Sequence, residues 1–259
     1  MLLYVLDAVW GVTQLHGVVY VVCRMSSTIR RFDATTHRRL ADISIKGLRA
    51  AYDIAGCHQT SRLYVADMDQ RVWRVSADGA DIKHWLPTSP SDVLRPRKLS
   101  VTSTRLLVTS RLNQQLIQFD AGGRELRRVR LQDMEPLHAV ESPTGTFIVC
   151  LSNTRLKHWQ VSEVDAEGHV LRQFSGSRLL PLGWTPRIAI DSQGNVFAAD
   201  SGNCRILLLD AQLALRRVII DEHQLNCKPQ RLCYKEQSGQ LLVGLDLGGV
   251  VSVFDVLRP

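Results

Sequence analysis

The sequence contains an internal repeat whose equivalent positions are separated by 41 to 49 residues. The clearest copy is Ile188-Ala-Ile-Asp-Ser-Gln-Gly-Asn-Val-Phe-Ala-Ala-Asp200, and degraded copies of its pattern recur along all 259 residues. The equivalent position in each copy lies in an apolar run, and these positions are Tyr20, Tyr64, Leu107, Ile148, Phe197 and Leu242. Repeats of this length are supersecondary units that bury their apolar faces only by stacking on their neighbours. The chain is therefore predicted to be an array of six such units.

Each repeat contains four short runs of β-branched and aromatic residues separated by turn residues, which predicts four β-strands. In the fifth repeat the predicted strands are Arg187 to Asp191, Val196 to Asp200, Arg205 to Leu209 and Leu213 to Ile220, with a tight turn at residues 192–195. Four-stranded units cannot bury both faces alone, and six of them close around an axis. The predicted fold is all-β, a six-bladed β-propeller of four-stranded antiparallel blades.

The whole chain, residues 1–259, is predicted to form one propeller domain. The predicted blades span approximately residues 9–45, 49–86, 96–131, 136–174, 186–220 and 229–256. No outer strand follows Val251 to Asp255, whereas the apolar residues 1–6 precede the first blade without an assignment. We expect this N-terminal strand to complete the last blade, because that exchange closes the ring and removes exposed sheet edges.

The fifth repeat resembles a known sequence motif. Its residues Pro186-x-Ile-Ala-Ile-Asp-x-x-Gly-Asn-Val-Phe-x-Ala-Asp-x-x-Asn-x-Arg-Ile206 resemble the NHL repeat, and the second repeat retains Ala66-Asp67 and Arg71-Val72. The other repeats keep the hydrophobic pattern alone, and the first has Cys23 where the motif has an aspartate. The chain is similar to the C-terminal propellers of metazoan tripartite-motif proteins. The resemblance implies a platform that binds protein partners, with single-stranded RNA as a second ligand class on one face.

The charged motif residues are expected to have a structural role. Asp67 with Arg71, and Asp200 with Arg205, lie four or five residues apart across the loop between the second and third strands. A charged group beside a core requires a partner, so each aspartate is expected to pair with its arginine or with loop backbone. Asn203 is expected to form the turn.

The charge of the chain favours an anionic partner. The net charge is +7, and 26 arginines stand against 6 lysines; arginine suits phosphate forks and stacking on bases. By analogy with the family, one face is built from the loops between second and third strands and from the turns that enter each inner strand. The predicted binding residues on that face are Arg24, Tyr52, Arg97, Arg111, Asn113, His138, Arg187 and Arg231. Arg187 and Arg231 are expected in exposed loops.

Other arginines are predicted on outer strands, where they would only solubilise the circumference. They are Arg124, Arg127, Arg128, Arg130, Arg216 and Arg217. If they account for the excess charge, a protein-docking platform is favoured over an RNA-binding one. The two alternatives are nearly balanced at this point, and clustering of positive charge on one face would distinguish them.

Catalysis is not expected. Related six-bladed propellers include metal-dependent lyases and hydrolases, which remain the alternative function, and these need several His or carboxylate ligands at the channel. The inner strands offer only Asp53, His138 and Asp191, and no nucleophile elbow, phosphate-binding loop or zinc-helix motif occurs. We therefore predict no catalytic residue, no metal, no cofactor and no small-molecule substrate.

The sequence has no apolar run of membrane-spanning length. The first residues lack the basic start and small-residue cleavage site of a signal peptide. The six cysteines have irregular spacing without a C-x-x-C pair. A cytoplasmic location with reduced cysteines is expected.

Overall fold

The computed structural model describes residues 2–4, 7–85, 95–132, 134–153, 155, 158–178, 180–184, 187–225, 227–246 and 249–256. The strands within these ranges form six four-stranded antiparallel sheets. The six-bladed propeller is thus confirmed. The predicted blade ends at residues 86 and 186, and residues 1, 5 and 6 of the predicted closing strand, lie outside the described ranges.

The strands follow one another along the chain from the inner to the outer edge of each blade. The first strand, β1, spans Leu2–Tyr4. Blade one contains β2 (Val9–Leu15), β3 (Val18–Cys23), β4 (Thr28–Asp33) and β5 (Arg39–Ser44). Blade two contains β6 (Ala51–Cys57), β7 (Arg62–Asp67), β8 (Val72–Ser76) and β9 (Ile82–His84). Blade three contains β10 (Lys98–Thr102), β11 (Arg105–Ser110), β12 (Gln115–Phe119) and β13 (Glu125–Arg130).

The remaining blades repeat this order. Blade four contains β14 (Glu135–Glu141), β15 (Phe147–Asn153), β16 (His158–Val164) and β17 (Val170–Phe174). Blade five contains β18 (Arg187–Ile190), β19 (Val196–Asp200), β20 (Arg205–Leu209) and β21 (Leu215–Ile220). Blade six contains β22 (Pro229–Lys235), β23 (Gln240–Leu245) and β24 (Val250–Asp255). A 3₁₀ turn spans Ser201–Asn203 and helix α1 spans Glu222–Leu225. Of the helical segments described, none is long and apolar enough to cross a membrane.

The N-terminal strand completes blade six, as expected. Strand β1 pairs with β24 in antiparallel register, Leu3 lying opposite Val251. Leu3 is buried and packs in one cluster with Val9 of blade one and Leu242 of blade six. The strand therefore supplies both backbone hydrogen bonds and apolar contacts at the seam of the ring.

The hydrophobic core lies between neighbouring blades. Phe197 of blade five stacks on Tyr234 of blade six, with ring centroids 4.6 Å apart. Between blades one and two, Tyr20 is buried and its hydroxyl donates to the carbonyl of Ala77 at 2.9 Å. The largest buried side chains come from the second strands, where the repeat positions Tyr20, Tyr64 and Phe197 were found. The repeat in the sequence is thus the repeat of this inter-blade packing.

The six inner strands β2, β6, β10, β14, β18 and β22 surround a central channel. All of them begin at the same face, which we call the top face. The loops from second to third strands and from each blade to the next also lie on this face, because successive strands are antiparallel. The top face is therefore the face on which the predicted binding residues should meet.

Candidate functional site

A pocket opens at the top of the central channel and has a volume of about 270 Å³. Every blade contributes to its wall, through an inner strand or through a top-face loop. The lining residues are Trp10, Arg24, Tyr52, Arg97, Lys98, Arg111, Leu137, Arg187, Gln230 and Asp246. We call this the axial pocket. Its wall carries five cationic side chains and one carboxylate.

Four residues of the axial pocket are placed by irregularities in the inner strands. The pairing of the first two strands shifts register at Trp10 in blade one, Tyr52 in blade two, Leu137 in blade four and Gln230 in blade six. A β-bulge inserts an unpaired residue and re-aims its side chain. The same irregularity in four blades therefore turns these four side chains toward the channel mouth.

Aromatic and arginine side chains stack along one wall of the axial pocket. Trp10 and Tyr52 are stacked with ring centroids 5.2 Å apart and an interplanar angle of 13°. The guanidinium carbon of Arg97 lies 4.4 Å from the Tyr52 ring centroid, and that of Arg24 lies 5.8 Å from Trp10. Both arginines are within the range of a cation–π attraction. Two of the predicted arginines are thus held by aromatic side chains at the rim of the pocket.

A buried layer of polar groups closes the channel beneath the axial pocket. The Arg231 Nε atom lies 3.2 Å from Asp53 Oδ1. The terminal nitrogen Nη2 of Arg231 donates to the carbonyl of Leu99 at 2.9 Å. Asp53 Oδ2 accepts a hydrogen bond from the Leu99 amide at 2.8 Å. Both charged residues are buried. This layer joins blades two, three and six across the axis, and charge pairing offsets the cost of burying each ion.

His138 extends the same layer to blade four. It is buried, and Arg231 Nη1 donates a hydrogen bond to its Nε2 atom. Burial and then the positive charges of Arg231, Arg187 and Lys98 hold the pKa of His138 well below its usual value. The imidazole is therefore neutral near neutral pH, and the nitrogen that could bind a metal ion accepts from Arg231 instead.

Lys98 lies between the polar layer and the axial pocket. Its Nζ atom donates to the carbonyls of Trp10 and Tyr52, both at 3.1 Å, and lies 3.9 Å from Asp53 Oδ1. Desolvation lowers the pKa of Lys98 to about 7, opposed by Asp53 and reinforced by the nearby arginines. Burial likewise lowers the pKa of Arg187 to about 10. The pocket floor is therefore short of solvent and crowded with cations.

The structure brings some of the predicted binding residues together. Five of the eight line the axial pocket, namely Arg24, Tyr52, Arg97, Arg111 and Arg187. Asn113 lies in the turn between β11 and β12 and does not line it. Arg111 is bound by Glu135, Nη2 to Oε2 at 2.6 Å, so its charge is locally neutralised.

Two expectations about this set are wrong. Arg231 was expected in an exposed loop but is a buried residue of β22 in the polar layer, and His138 is buried beside it. Arg187, predicted as the first residue of an inner strand and also expected to be exposed, does begin β18 but is only partly accessible. Both residues belong to inner strands that surround the channel rather than to the turns that precede those strands. Charge reversal at these positions would disrupt the channel itself.

The motif residues behave as expected in blade five. Asp200 is buried, and its carboxylate accepts from the Gly183 amide, from Asn203 Nδ2 and from Arg205 Nε, each at 2.8 Å. Asn203 and Arg205 also donate to the Pro181 carbonyl. The Asp200–Arg205 pair is confirmed, and it fastens the loop that enters blade five to the loop between β19 and β20.

In blade two Asp67 does not pair with Arg71 but takes the other expected partner, loop backbone, together with a side chain. Asp67 Oδ2 accepts instead from Trp73 Nε1 at 3.0 Å, and its other oxygen accepts from the Asp69 amide. Arg71 pairs with Asp69, Nη2 to Oδ2 at 2.6 Å. An indole N–H thus replaces the guanidinium as the buried partner, which a pattern of charges alone does not indicate.

Three of the six arginines predicted on the outer strands are paired within their own hairpins. Arg124 pairs with Asp120, Arg128 with Glu125, and Arg216 with Asp210. These contacts neutralise charge on the outer strands. Arg127 and Arg217 instead donate to the carbonyls of Gly145 and Val256, so positive charge remains on the circumference as well as at the axial pocket.

Sequence reasoning missed Trp10, Lys98, Leu137 and Gln230. Trp10 could have been found from the repeat, because it occupies the position in the first inner strand that Tyr52 occupies in the second. Lys98 directly follows the predicted residue Arg97, but nothing in the sequence indicates that its amine turns into the channel. Leu137 and Gln230 carry no chemical signal, and only the bulges bring them to the pocket.

The fold and this pocket define a six-bladed β-propeller with a cationic, aromatic-walled cavity at the top of its channel. No known family profile matches the sequence, and no curated protein matches it. Solved structures do. The hydrazine synthase of Kuenenia stuttgartiensis superposes with a TM-score of 0.68 at 14% identity, covering 96% of each chain.

Two further structures support the same architecture. The WD40 β-propeller domain of Doa1 has a TM-score of 0.67 at 12% identity, over 96% of this chain and 92% of that chain. Streptogramin B lyase has a TM-score of 0.66 at 12% identity, over 98% and 96% of the two chains. Identities this low show the fold alone. A propeller of this kind is compatible with a protein-binding platform.

Proposed function

We propose that this protein is a non-catalytic binding platform whose top face docks an acidic segment of a partner protein. The observation that carries the proposal is the combination of exposed apolar side chains with the cationic axial pocket. Met25, Leu112 and Trp184 are 64%, 66% and 38% exposed and belong to top-face loops of blades one, three and five. Exposed apolar side chains around a charged pocket are typical of docking surfaces.

Charge complementarity defines the partner. Arg24, Arg97, Lys98 and Arg187 outnumber Asp246 on the wall of the axial pocket, while Arg111 is engaged by Glu135. An aspartate or glutamate side chain that enters the pocket meets several guanidinium groups, which bind carboxylates through paired hydrogen bonds. Apolar residues flanking that acidic side chain would then cover Met25 and Leu112.

Single-stranded RNA is the second candidate, favoured by a different observation. The stacked pair Trp10–Tyr52, with Arg97 over Tyr52, is the type of surface on which unpaired bases stack. The NHL character of the chain belongs to this proposal and is supported by the Asp200, Asn203 and Arg205 contacts. A cytoplasmic location is also proposed, supported by six cysteines that are all free thiols.

The alternative of a metal-dependent enzyme has less support. Asp53 and His138, two of the three inner-strand candidates, are both engaged by Arg231, and Asp191 caps its own turn through Asn195. Among the described residues, the cluster with metal-ligand spacing is Asp165, Glu167 and His169, which lies on the hairpin between β16 and β17, away from the channel. We therefore retain the absence of catalysis as a prediction.

Fluorescence anisotropy tests the proposal. Three labelled probes are titrated at about 0.15 M salt, where purely long-range attraction is screened: a random peptide pool rich in Asp and Glu, the same pool with Asn and Gln in their place, and a random single-stranded RNA pool. Peptide docking predicts that only the acidic pool binds. The variants Leu112→Asp and Arg97→Glu should lose this binding, whereas the control variant Arg124→Glu, changed on the circumference, should retain it. Preferred binding of RNA would favour the second candidate. Equal binding of both peptide pools would contradict the charge argument.

A further inference from the structure

The floor of the axial pocket carries an amine whose surroundings suit covalent chemistry. We propose that Lys98 forms a reversible imine with a small 2-oxo acid bound in the axial pocket. The ligand would occupy the same axial pocket that the partner's acidic side chain enters, so the two would compete, but this proposal does not rest on peptide docking. It also departs from the expectation that the protein has no small-molecule ligand.

The geometry holds the Lys98 amine at a fixed point facing the cavity. Two of its N–H bonds are directed at the carbonyls of Trp10 and Tyr52, on neighbouring inner strands. The side chain is 13% exposed and lines the axial pocket. In the free amine both N–H bonds are used by these carbonyls and the lone pair is the remaining direction, while Asp53 Oδ1 at 3.9 Å is beyond hydrogen-bond distance. A ligand in the pocket can therefore approach the nitrogen without displacing it.

Charged or titratable groups surround this amine from four of the five other inner strands, β2 being the exception. Arg97 is its chain neighbour, Asp53 comes from β6, His138 from β14, Arg187 from β18 and Arg231 from β22. His138 is neutral and Asp53 is bound by Arg231, so the local balance is positive. Crowded cations and desolvation leave much of Lys98 as the free amine near neutral pH, and the free amine is the nucleophile.

The same cations select the ligand. Guanidinium groups bind carboxylates through paired hydrogen bonds, and Arg97 and Arg187 both line the pocket above Lys98. A cavity of about 270 Å³ suits a compound of a few carbon atoms. A carboxylate held by these arginines places an adjacent carbonyl carbon near the amine. These features together identify a 2-oxo acid rather than a neutral ketone.

The reaction needs no oxidant or reductant. The lone pair of Nζ attacks the carbonyl carbon, and a proton passes from nitrogen to the carbonyl oxygen to give a carbinolamine. Loss of the second amine proton with that hydroxyl releases one water and forms the carbon–nitrogen double bond. Hydrolysis returns the free lysine and the 2-oxo acid. Nearby cations disfavour a protonated lysine, which keeps the amine reactive.

The test is trapping with pyruvate and cyanoborohydride, which reduces the imine to a stable secondary amine, followed by peptide mapping by mass spectrometry. The chain has only six lysines, and Lys46 and Lys83 are exposed internal controls. At pH 7 we expect Lys98 to be labelled at least about tenfold faster than either control, because a lysine amine in water is almost entirely protonated at that pH. Acetone, which lacks the carboxylate, is the matched probe, and its ratio of Lys98 to Lys46 labelling should be clearly smaller than that of pyruvate because the arginines cannot hold it.

Two further measurements make the outcome decisive. The labelling rate of Lys98 should rise with pH and level off above about 7, and in urea-unfolded protein the preference for Lys98 should vanish. The proposal would be overturned if only exposed lysines such as Lys46 and Lys83 were labelled and Lys98 stayed unreacted in the folded protein. Equal labelling of Lys98 by acetone and pyruvate would overturn the assignment of a 2-oxo acid. The experiment uses the unaltered protein, so no variant has to fold.

Discussion

Arg231 and Asp53 form an ion pair across the central channel, with Arg231 Nε 3.2 Å from Asp53 Oδ1 and both residues buried. The two residues come from the inner strands of blades six and two. Their contact, with the Leu99 backbone and His138, ties four blades together at the axis. Hydrophobic packing holds each blade to its neighbours, whereas this layer connects blades that do not touch along their sheets.

Removal of one partner of this pair should be strongly destabilising. Arg231→Met leaves the Asp53 charge buried without its cation, and we expect a loss of about 3–5 kcal/mol in the free energy of unfolding. Urea denaturation measures the loss. The double variant with Asp53→Asn should recover part of it, because no unpaired charge remains. A loss below about 1 kcal/mol in the single variant would show that the pair does not hold the channel together.

The closing strand β1 should contribute to the free energy of unfolding mainly through one buried side chain. Leu3 is 2% exposed and Leu2, beside it on β1, is 48% exposed. Leu3→Ala should lower the free energy of unfolding by about 2–4 kcal/mol, as expected for a buried leucine, whereas Leu2→Ala should be nearly neutral. Thermal denaturation of both variants checks the difference. Equal effects would mean that β1 is not packed against blade six in solution.

Asp200, the motif aspartate of blade five, should contribute more to the free energy of unfolding than a surface ion pair does. Asp200→Ala removes the acceptor of three hydrogen bonds, and we expect roughly 3 kcal/mol of destabilisation because the donors become unsatisfied. The control is Asp42→Ala, which breaks the exposed pair with Arg39 and should cost no more than about 0.5 kcal/mol. Chemical denaturation compares the two, and a similar loss in both would contradict a structural role for the motif.

The stability of the protein should depend on pH through Lys98. Its pKa is about 7 in the folded protein and 10.5 for an ordinary lysine, so between these values the unfolded chain binds more protons. The free energy of unfolding contributed by Lys98 therefore rises with pH from about 7 to 10. The measurement is the difference in melting temperature between the protein and Lys98→Met across this range, which should widen in favour of the unaltered protein. The exposed variant Lys83→Met should show no such trend.

The hydrophobic sequence pattern was sufficient for the blades but not for their charged contacts. The predicted strands of blade five differ from the observed strands by only one or two residues at two ends, at Ile190 and Leu215. In blade two, by contrast, Asp67 contacts loop backbone, one of its two expected partners, and also Trp73, which the pattern did not indicate. Apolar periodicity acts through many equivalent contacts, whereas one buried charge can be satisfied by any donor within reach.

The sequence by itself determined the number of blades, their four-strand pattern and the closure by the N-terminal strand. Each of these follows from the period of buried residues, which is a local property repeated six times. Only the tertiary structure decided which side chains meet at the axis. Bulges at Trp10, Tyr52, Leu137 and Gln230 interrupt the alternation of strand residues, and the closed ring brings Arg231 to Asp53 and Lys98 to the pocket floor. Both depend on contacts between distant repeats, which the pattern within one repeat does not encode.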